Sequence, residues 1–208
     1  GVIKIAFDNY EIAEQICSVA LIFIMFYGGF GTRWSEARPV AGKSVLLSSV
    51  GVVLTAVLTG LFCYFVLNMD FLEGMLIGSV LGSTDAASVF SILRSRKLNL
   101  KYGSASMLEL ESGSNDPFSY MMTIIVLTAM SGTMGVGQIA GMLASQLLFG
   151  LLVGAGVAFA ASRFLNRYQF YGEGFDTIFI FAVAIISYAF SSLIGGNGYL
   201  STYLTGII

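Results

Sequence analysis

Glu109-Leu110-Glu111-Ser112-Gly113-Ser114-Asn115-Asp116-Pro117 lies just inside a long apolar segment. That segment continues through Met121-Met122-Thr123-Ile124-Ile125-Val126-Leu127-Thr128-Ala129-Met130. An ionised side chain near the centre of a bilayer costs roughly 2.5–3.5 kcal/mol on insertion scales. A chain that keeps a cluster of acids there uses them. A second acid, Asp85, lies in another apolar segment and follows Ser83-Thr84 directly. These two stretches decide the reading: the segments cross a membrane, and the acids inside them form the candidate site.

Working outward, composition agrees. Of 208 residues, 56% are hydrophobic and 11% charged, against about 25% charged in soluble domains. The mean hydropathy is +0.85. This is an all-α polytopic membrane protein with the lipid bilayer as its solvent. The net charge of −2 says nothing about nucleic acid, but the basic residues lie in short loops and form no binding stripe, so no nucleic-acid partner is expected. There is no His, which removes imidazole relays and His-based metal sites. Cys17 and Cys63 lie within apolar segments and are expected to be buried small hydrophobes without a disulfide. Gly1 does not look like a natural start, no signal peptide is visible, and Ile208 falls within an apolar run. The chain reads as a fragment of a longer membrane domain.

A span needs about 20 apolar residues to cross about 30 Å of hydrocarbon. The pattern predicts six complete spans, at about 11–30, 44–67, 71–93, 104–130, 139–164 and 177–194, and the start of a seventh at 199–208. Trp34 sits where an interfacial aromatic belongs. The third span carries Gly74, Gly78 and Gly82 at four-residue spacing, which lets helices approach closely. Its Ser83-Thr84-Asp85 places three polar side chains mid-span, where a helix can unwind and offer carbonyls to an ion. Gly195-Gly196-Asn197-Gly198 separates the sixth span from the seventh. No internal sequence repeat is evident.

Nine of the ten Lys and Arg residues fall in alternate loops, after spans one, three and five. They are Arg33, Arg38 and Lys43; Arg94, Arg96, Lys97 and Lys101; and Arg163 and Arg167, the last pair beside Tyr168. Lys4 precedes the first span. The positive-inside rule puts those loops in the cytoplasm and the Gly1 side outside it. Asp70, Glu73, Glu173 and Asp176, at predicted helix ends, read as capping or solvated groups. Glu109 reads as structural, near the cytoplasmic interface.

On a helix, Ser112 and Asp116 share one face, and Glu111 and Asn115 share the next. Asn115 can then hydrogen-bond Glu111 while Ser112 and Asp116 point at a common ligand. Pro117 cannot donate to the carbonyl of Gly113 and its ring tends to kink a helix. Two carboxylates (Asp85 and Asp116), a hydroxyl from Ser112 or Thr84, and free carbonyls are hard oxygen donors suited to a small dehydrated monovalent cation. Two nearby carboxylates in a low dielectric also resist ionising together, so protons compete with the metal ion. A site that holds either a cation or protons is the chemical core of an exchanger.

Glu111-Ser112-Gly113-Ser114-Asn115-Asp116-Pro117 resembles the Asn-Asp motif of the cation:proton antiporter-1 family. That family comprises the NhaP-type sodium or potassium/proton antiporters and their animal exchanger relatives. Gly82-Ser83-Thr84-Asp85 is similar to its Thr-Asp motif, and Gly195-Gly196-Asn197-Gly198-Tyr199-Leu200 to the glycine-rich start of a later helix. Order, spacing and hydropathy agree over essentially the whole chain, with the bacterial potassium/proton branch the nearest. The resemblance implies an inverted-repeat antiporter fold with discontinuous crossing helices, of which this chain is a part, and a homodimer of the full-length protein in the bacterial inner membrane. It implies that Asp116 is the main cation- and proton-binding carboxylate. Asp85 and Ser112 would help coordinate, together with the Thr84 backbone carbonyl, and Glu111 and Asn115 would form a supporting pair. Asn-Asp at this motif implies electroneutral exchange of potassium or sodium for a proton, with no cofactor and no enzymatic step. Many relatives have Pro after the Thr-Asp pair, where this chain has Ala86. The partner broken helix, and a basic residue of a later helix, would lie beyond Ile208. The competing readings are a cation channel, a non-transporting regulatory membrane subunit, and an intramembrane aspartyl protease. No Gly-x-Gly-Asp element precedes either Asp to support the last.

Overall fold

The computed structural model describes residues 9–95, 100–167 and 174–208, with backbone alone for Arg94, Tyr102, Phe175 and Asp176. Lys4, Arg96, Lys97, Tyr168 and Glu173, and the side chain of Asp176, lie outside the described residues. Among the described residues, nine α-helices follow one another: α1 (Tyr10–Phe30), α2 (Trp34–Ala37), α3 (Ala41–Val66), α4 (Phe71–Leu81), α5 (Ala86–Ser95), α6 (Ser104–Ser131), α7 (Val136–Arg167), α8 (Phe175–Leu193) and α9 (Gly198–Ile207).

The helix ends have local causes. Asn9 caps α1, its Oδ1 accepting from Ile12 N at 3.1 Å, and Asp70 caps α4 by accepting from Leu72 N at 2.9 Å. A short polar side chain at this position satisfies one of the orphan amides of the first turn. Asn68, just past α3, takes a left-handed φ of 53°, a conformation Asn tolerates and one that ends a helix sharply. The basic loop after α1 holds the short α2, which the sequence pattern does not announce. In that loop Arg33 pairs with Glu36 at 2.8 Å, both exposed.

Among the described residues, four segments are long and apolar enough to cross a membrane: Tyr10–Phe30, Ala41–Val66, Phe71–Leu93 and Val136–Arg167, while Thr177–Leu193 is a shorter apolar helix. The helix α6 has 28 residues and so a length of roughly 42 Å at 1.5 Å per residue. Its acids dilute its hydropathy. Outward residues of α3 such as Leu46, Leu54, Leu58, Phe62 and Phe65 are exposed. An unbroken apolar face of that extent suits lipid, since soluble surfaces avoid large apolar patches. The third apolar segment is two helices, α4 and α5, separated by the non-helical stretch from Gly82 to Asp85. Pro117 is fully buried inside an uninterrupted α6. Cys63 is buried, but Cys17 is exposed. The expectation for Cys17 fails because it falls on the outward face of α1, whose buried residues are Ile22, Met25, Phe26, Gly28 and Gly29.

Helices in lipid gain little from hydrophobic burial against one another, so close packing and interhelical hydrogen bonds hold them. One group is α3, α4 and α6. Every fourth residue of α3 from Ser44 through Ser48, Val52 and Ala56 to Gly60 is buried. A Cβ added at Gly78 of α4 would lie 2.7 Å from the Cα and the carbonyl oxygen of Ala56. The Ser79 and Thr123 hydroxyls pair at 3.1 Å, and the Ser119 hydroxyl donates to the Ser79 carbonyl, tying α4 to α6.

The second group is α1, α7, α8 and α9. A Cβ at Gly29 would lie 2.2 Å from the Tyr203 carbonyl oxygen, so α1 and α9 touch backbone to backbone. Ser187 of α8 pairs with Ser201 at 2.8 Å and with Thr205 at 2.7 Å. Thr205 also donates to the Gly154 carbonyl of α7 at 3.1 Å. Between the groups lies α5, whose fully buried Phe90 packs over Gly28 and joins a cluster with Ile22, Met25, Val183 and Tyr203.

Candidate functional site

The site forms where the break between α4 and α5 meets the middle of α6. Gly82 ends α4 and Ala86 begins α5, so Ser83, Thr84 and Asp85 lie on non-helical backbone. Asx-, Ser- and Thr-type side chains favour such backbone because they can replace the missing ladder bonds locally. Asp85 does this. Its Oδ1 accepts from Ser88 N at 3.2 Å and its other oxygen accepts from the Ser88 hydroxyl, at the first turn of α5.

On the opposite side, α6 presents the acidic motif at helical spacing. Asn115 is 1% exposed. Its Nδ2 donates to Glu111 Oε1 at 3.2 Å, one turn earlier, and to Thr84 Oγ1 at 2.5 Å, across the break. The hydroxyls of Thr84 and Ser112 pair at 2.8 Å. The Ser83 hydroxyl donates to Asp116 Oδ1 and also lies 3.3 Å from Asn115 Oδ1. Asp116 itself is half-buried, whereas Thr84 and Asp85 are exposed.

Of the residues singled out in the sequence, Thr84, Glu111, Ser112, Asn115 and Asp116 therefore come together in one hydrogen-bonded cluster. Asp85 adjoins it through the chain, and among the described residues its carboxylate bonds Ser88. Glu109 is half-buried near the start of α6. Sequence reasoning left Ser83 out of the ligand set, although its place in Ser83-Thr84-Asp85 was a usable signal. It also passed over Tyr203: a Cβ added at Gly113 would lie 2.4 Å from the Tyr203 ring, so that ring covers the helix directly behind the acids. Nothing local in the sequence marks Tyr203 for this. Asn197 both caps α9, accepting from Leu200 N at 3.0 Å, and donates to the Pro117 carbonyl at 3.3 Å. It is the link between the glycine-rich break and the residue next to Asp116.

The chemistry of this arrangement is that of oxygen donors around one half-buried carboxylate. Hydroxyls and carboxylates are hard ligands suited to alkali cations. An intramembrane acid held by such partners marks an ion or proton path. Together, the apolar helices and an acid that faces a helix break define a helical membrane protein with an oxygen-lined carboxylate beside a discontinuous segment.

Comparison with known proteins gives the family. Residues 1–208 match the family described as sodium/hydrogen exchanger, transmembrane, and the chain belongs to it. The K(+)/H(+) antiporter NhaP2 of Shewanella sp. (strain ANA-3) is 34% identical over 206 residues, covering 98% of this chain and 35% of that protein. The K(+)/H(+) antiporter NhaP of Alkalimonas amylolytica is 36% identical over 212 residues, covering 99% of this chain and 36% of that protein. The chain thus spans about a third of the length of these relatives. The structure of the sodium proton antiporter MjNhaP1 from Methanocaldococcus jannaschii at pH 8 aligns with a TM-score of 0.77 at 22% identity, over 95% of this chain and 48% of that one. That match shows a shared fold.

Proposed function

We propose that the protein to which this chain belongs exchanges a monovalent cation, potassium or sodium, for a proton across the membrane by alternating access. Asp116 is the carboxylate that takes either the cation or the proton. Ser112, Asp85 and the Thr84 backbone carbonyl complete the oxygen set, directly or through water, and Glu111 with Asn115 holds α6 against the break. Exchange is electroneutral, one cation for one proton, and needs no cofactor. The full-length protein works as a homodimer in the bacterial inner membrane, with the loops after α1, α5 and α7 in the cytoplasm and the Gly1 side outside it.

The observation that carries this reading is Asp116, half-buried in the middle of α6 and facing unwound backbone whose hydroxyls reach it and its neighbours. A carboxylate in that setting is costly to leave charged without a partner. Either a proton or a cation relieves the cost, and a protein that allows only those two states couples their movement. The potassium/proton antiporters that resemble the chain over nearly its whole length support the same assignment.

The test uses the full-length protein in liposomes with a pH dye inside. Adding potassium or sodium outside drives protons out through the wild type, and Asp116→Asn abolishes that movement while the protein still inserts. Proton-coupled cation flux that persists in Asp116→Asn would remove Asp116 from the site.

A further inference from the structure

Three hydroxyls lie close to the acids of α6, and the structure does not use them alike. Those of Thr84 and Ser112 pair with each other, and Asn115 donates to the Thr84 oxygen as well. Each is engaged away from Asp116. The hydroxyl that reaches the Asp116 carboxylate, among the described residues, is that of Ser83. Ser83 sits one residue into the break, where non-helical backbone turns its side chain toward α6 rather than along α4.

We propose that Ser83 is a direct oxygen ligand of the transported cation, its hydroxyl giving up its donation to Asp116 as the ion binds. A hydroxyl has one proton and two lone pairs. It can donate to Asp116 or present a lone pair to a cation at the same place, provided its proton has another acceptor. Two acceptors are in reach: the Thr84 carbonyl at 3.2 Å and Asn115 Oδ1 at 3.3 Å. Rotation about one C–O bond therefore converts Ser83 from a donor on the carboxylate to a donor on either of these, with its oxygen turned to the ion. No other group has to move. Asn115 gains a role here: it anchors the break and is one of the two acceptors for the redirected Ser83 hydrogen bond. The assignment rests on Asp116 being the carboxylate that takes the cation.

The test is transport kinetics of the full-length protein in liposomes with potassium, sodium and thallous ions. Ser83→Ala removes the oxygen and raises the KM for the preferred alkali cation about tenfold, the loss of one charge-assisted contact. Its kcat stays within about twofold of wild type. Ser83→Thr keeps the oxygen and restores the KM. Ser83→Cys replaces a hard oxygen with a soft sulfur. It raises thallous over potassium selectivity several-fold, a ratio that a merely structural role would not move. If Ser83→Ala does not fold, the near-isosteric Cys variant carries the test. Wild-type KM values with an unchanged thallous/potassium ratio overturn the assignment, as does a fall in kcat alone. Asp116→Asn measured alongside separates the cases: exchange that survives it defeats the parent reading, whereas its loss beside unaltered Ser83 variants defeats the Ser83 assignment only.

Discussion

Among the described residues, the Asp116 carboxylate accepts from the Ser83 hydroxyl, a neutral donor rather than a cation. Among the described residues, the ion pair in the molecule is the exposed Arg33–Glu36 contact, far along the chain from the acids. Structure around the acids depends instead on Asn115, which spans from Glu111 to Thr84. Replacing it with Ala removes both of these part-buried hydrogen bonds, a cost of about 0.5–1.5 kcal/mol each. Asn115→Ala should lower the melting temperature of the full-length protein in detergent while leaving the order of preference among alkali cations unchanged. A changed preference with an unaltered melting curve would make Asn115 a selectivity residue rather than a support. The Glu111–Asn115 pair was legible in the sequence because i,i+4 spacing fixes it within one helix. The Ser83–Asp116 contact was not, because it depends on how a non-helical turn rotates relative to a helix more than 30 positions away.

At the scale of elements, most of the fold was readable because spanning helices announce themselves by unbroken apolar runs and by loops with Gly, Pro and charge. The break between α4 and α5 was legible too, from three polar side chains placed mid-segment, and it forms with Ala86 rather than Pro at the start of α5. Two features were not. The short α2 has too few residues for any periodicity to show. Pro117 is accommodated inside α6, as membrane helices tolerate, and its own carbonyl accepts from Asn197. The small-residue spacing of α4 marked a close approach without naming its partner, which is α3. Gly78→Ala tests that packing. Its new methyl group meets backbone atoms of Ala56 at 2.7 Å, and backbone cannot rotate away. Overpacking of this kind costs about 1–3 kcal/mol. Thermal unfolding of the full-length variant should shift down accordingly, and an unchanged transition would mean that α3 and α4 separate freely.

Taken whole, the described residues make two groups of helices with different jobs. In one, α3, α4 and α6 hold the acids. In the other, α1, α7, α8 and α9 are joined by backbone contact at Gly29 and by the Ser187, Ser201 and Thr205 hydroxyls. The broken segment and α6 meet the second group through Phe90, Tyr203 and Asn197. A site at such a seam can face one side of the membrane or the other if one group moves past its neighbour, which is the geometry that alternating access requires. None of this arrangement is written locally in the sequence. It follows from which small and polar residues happen to face each other once the helices assemble. The proposed exchange needs less than the motion: that Asp116 take a cation or a proton, never both. The most direct measurement is proton release on cation binding, with the purified full-length protein in weakly buffered detergent solution titrated with potassium or sodium. The expected result is one proton released for each cation bound, and neither binding nor release in Asp116→Asn. Cation binding to the wild type with no proton released would contradict it.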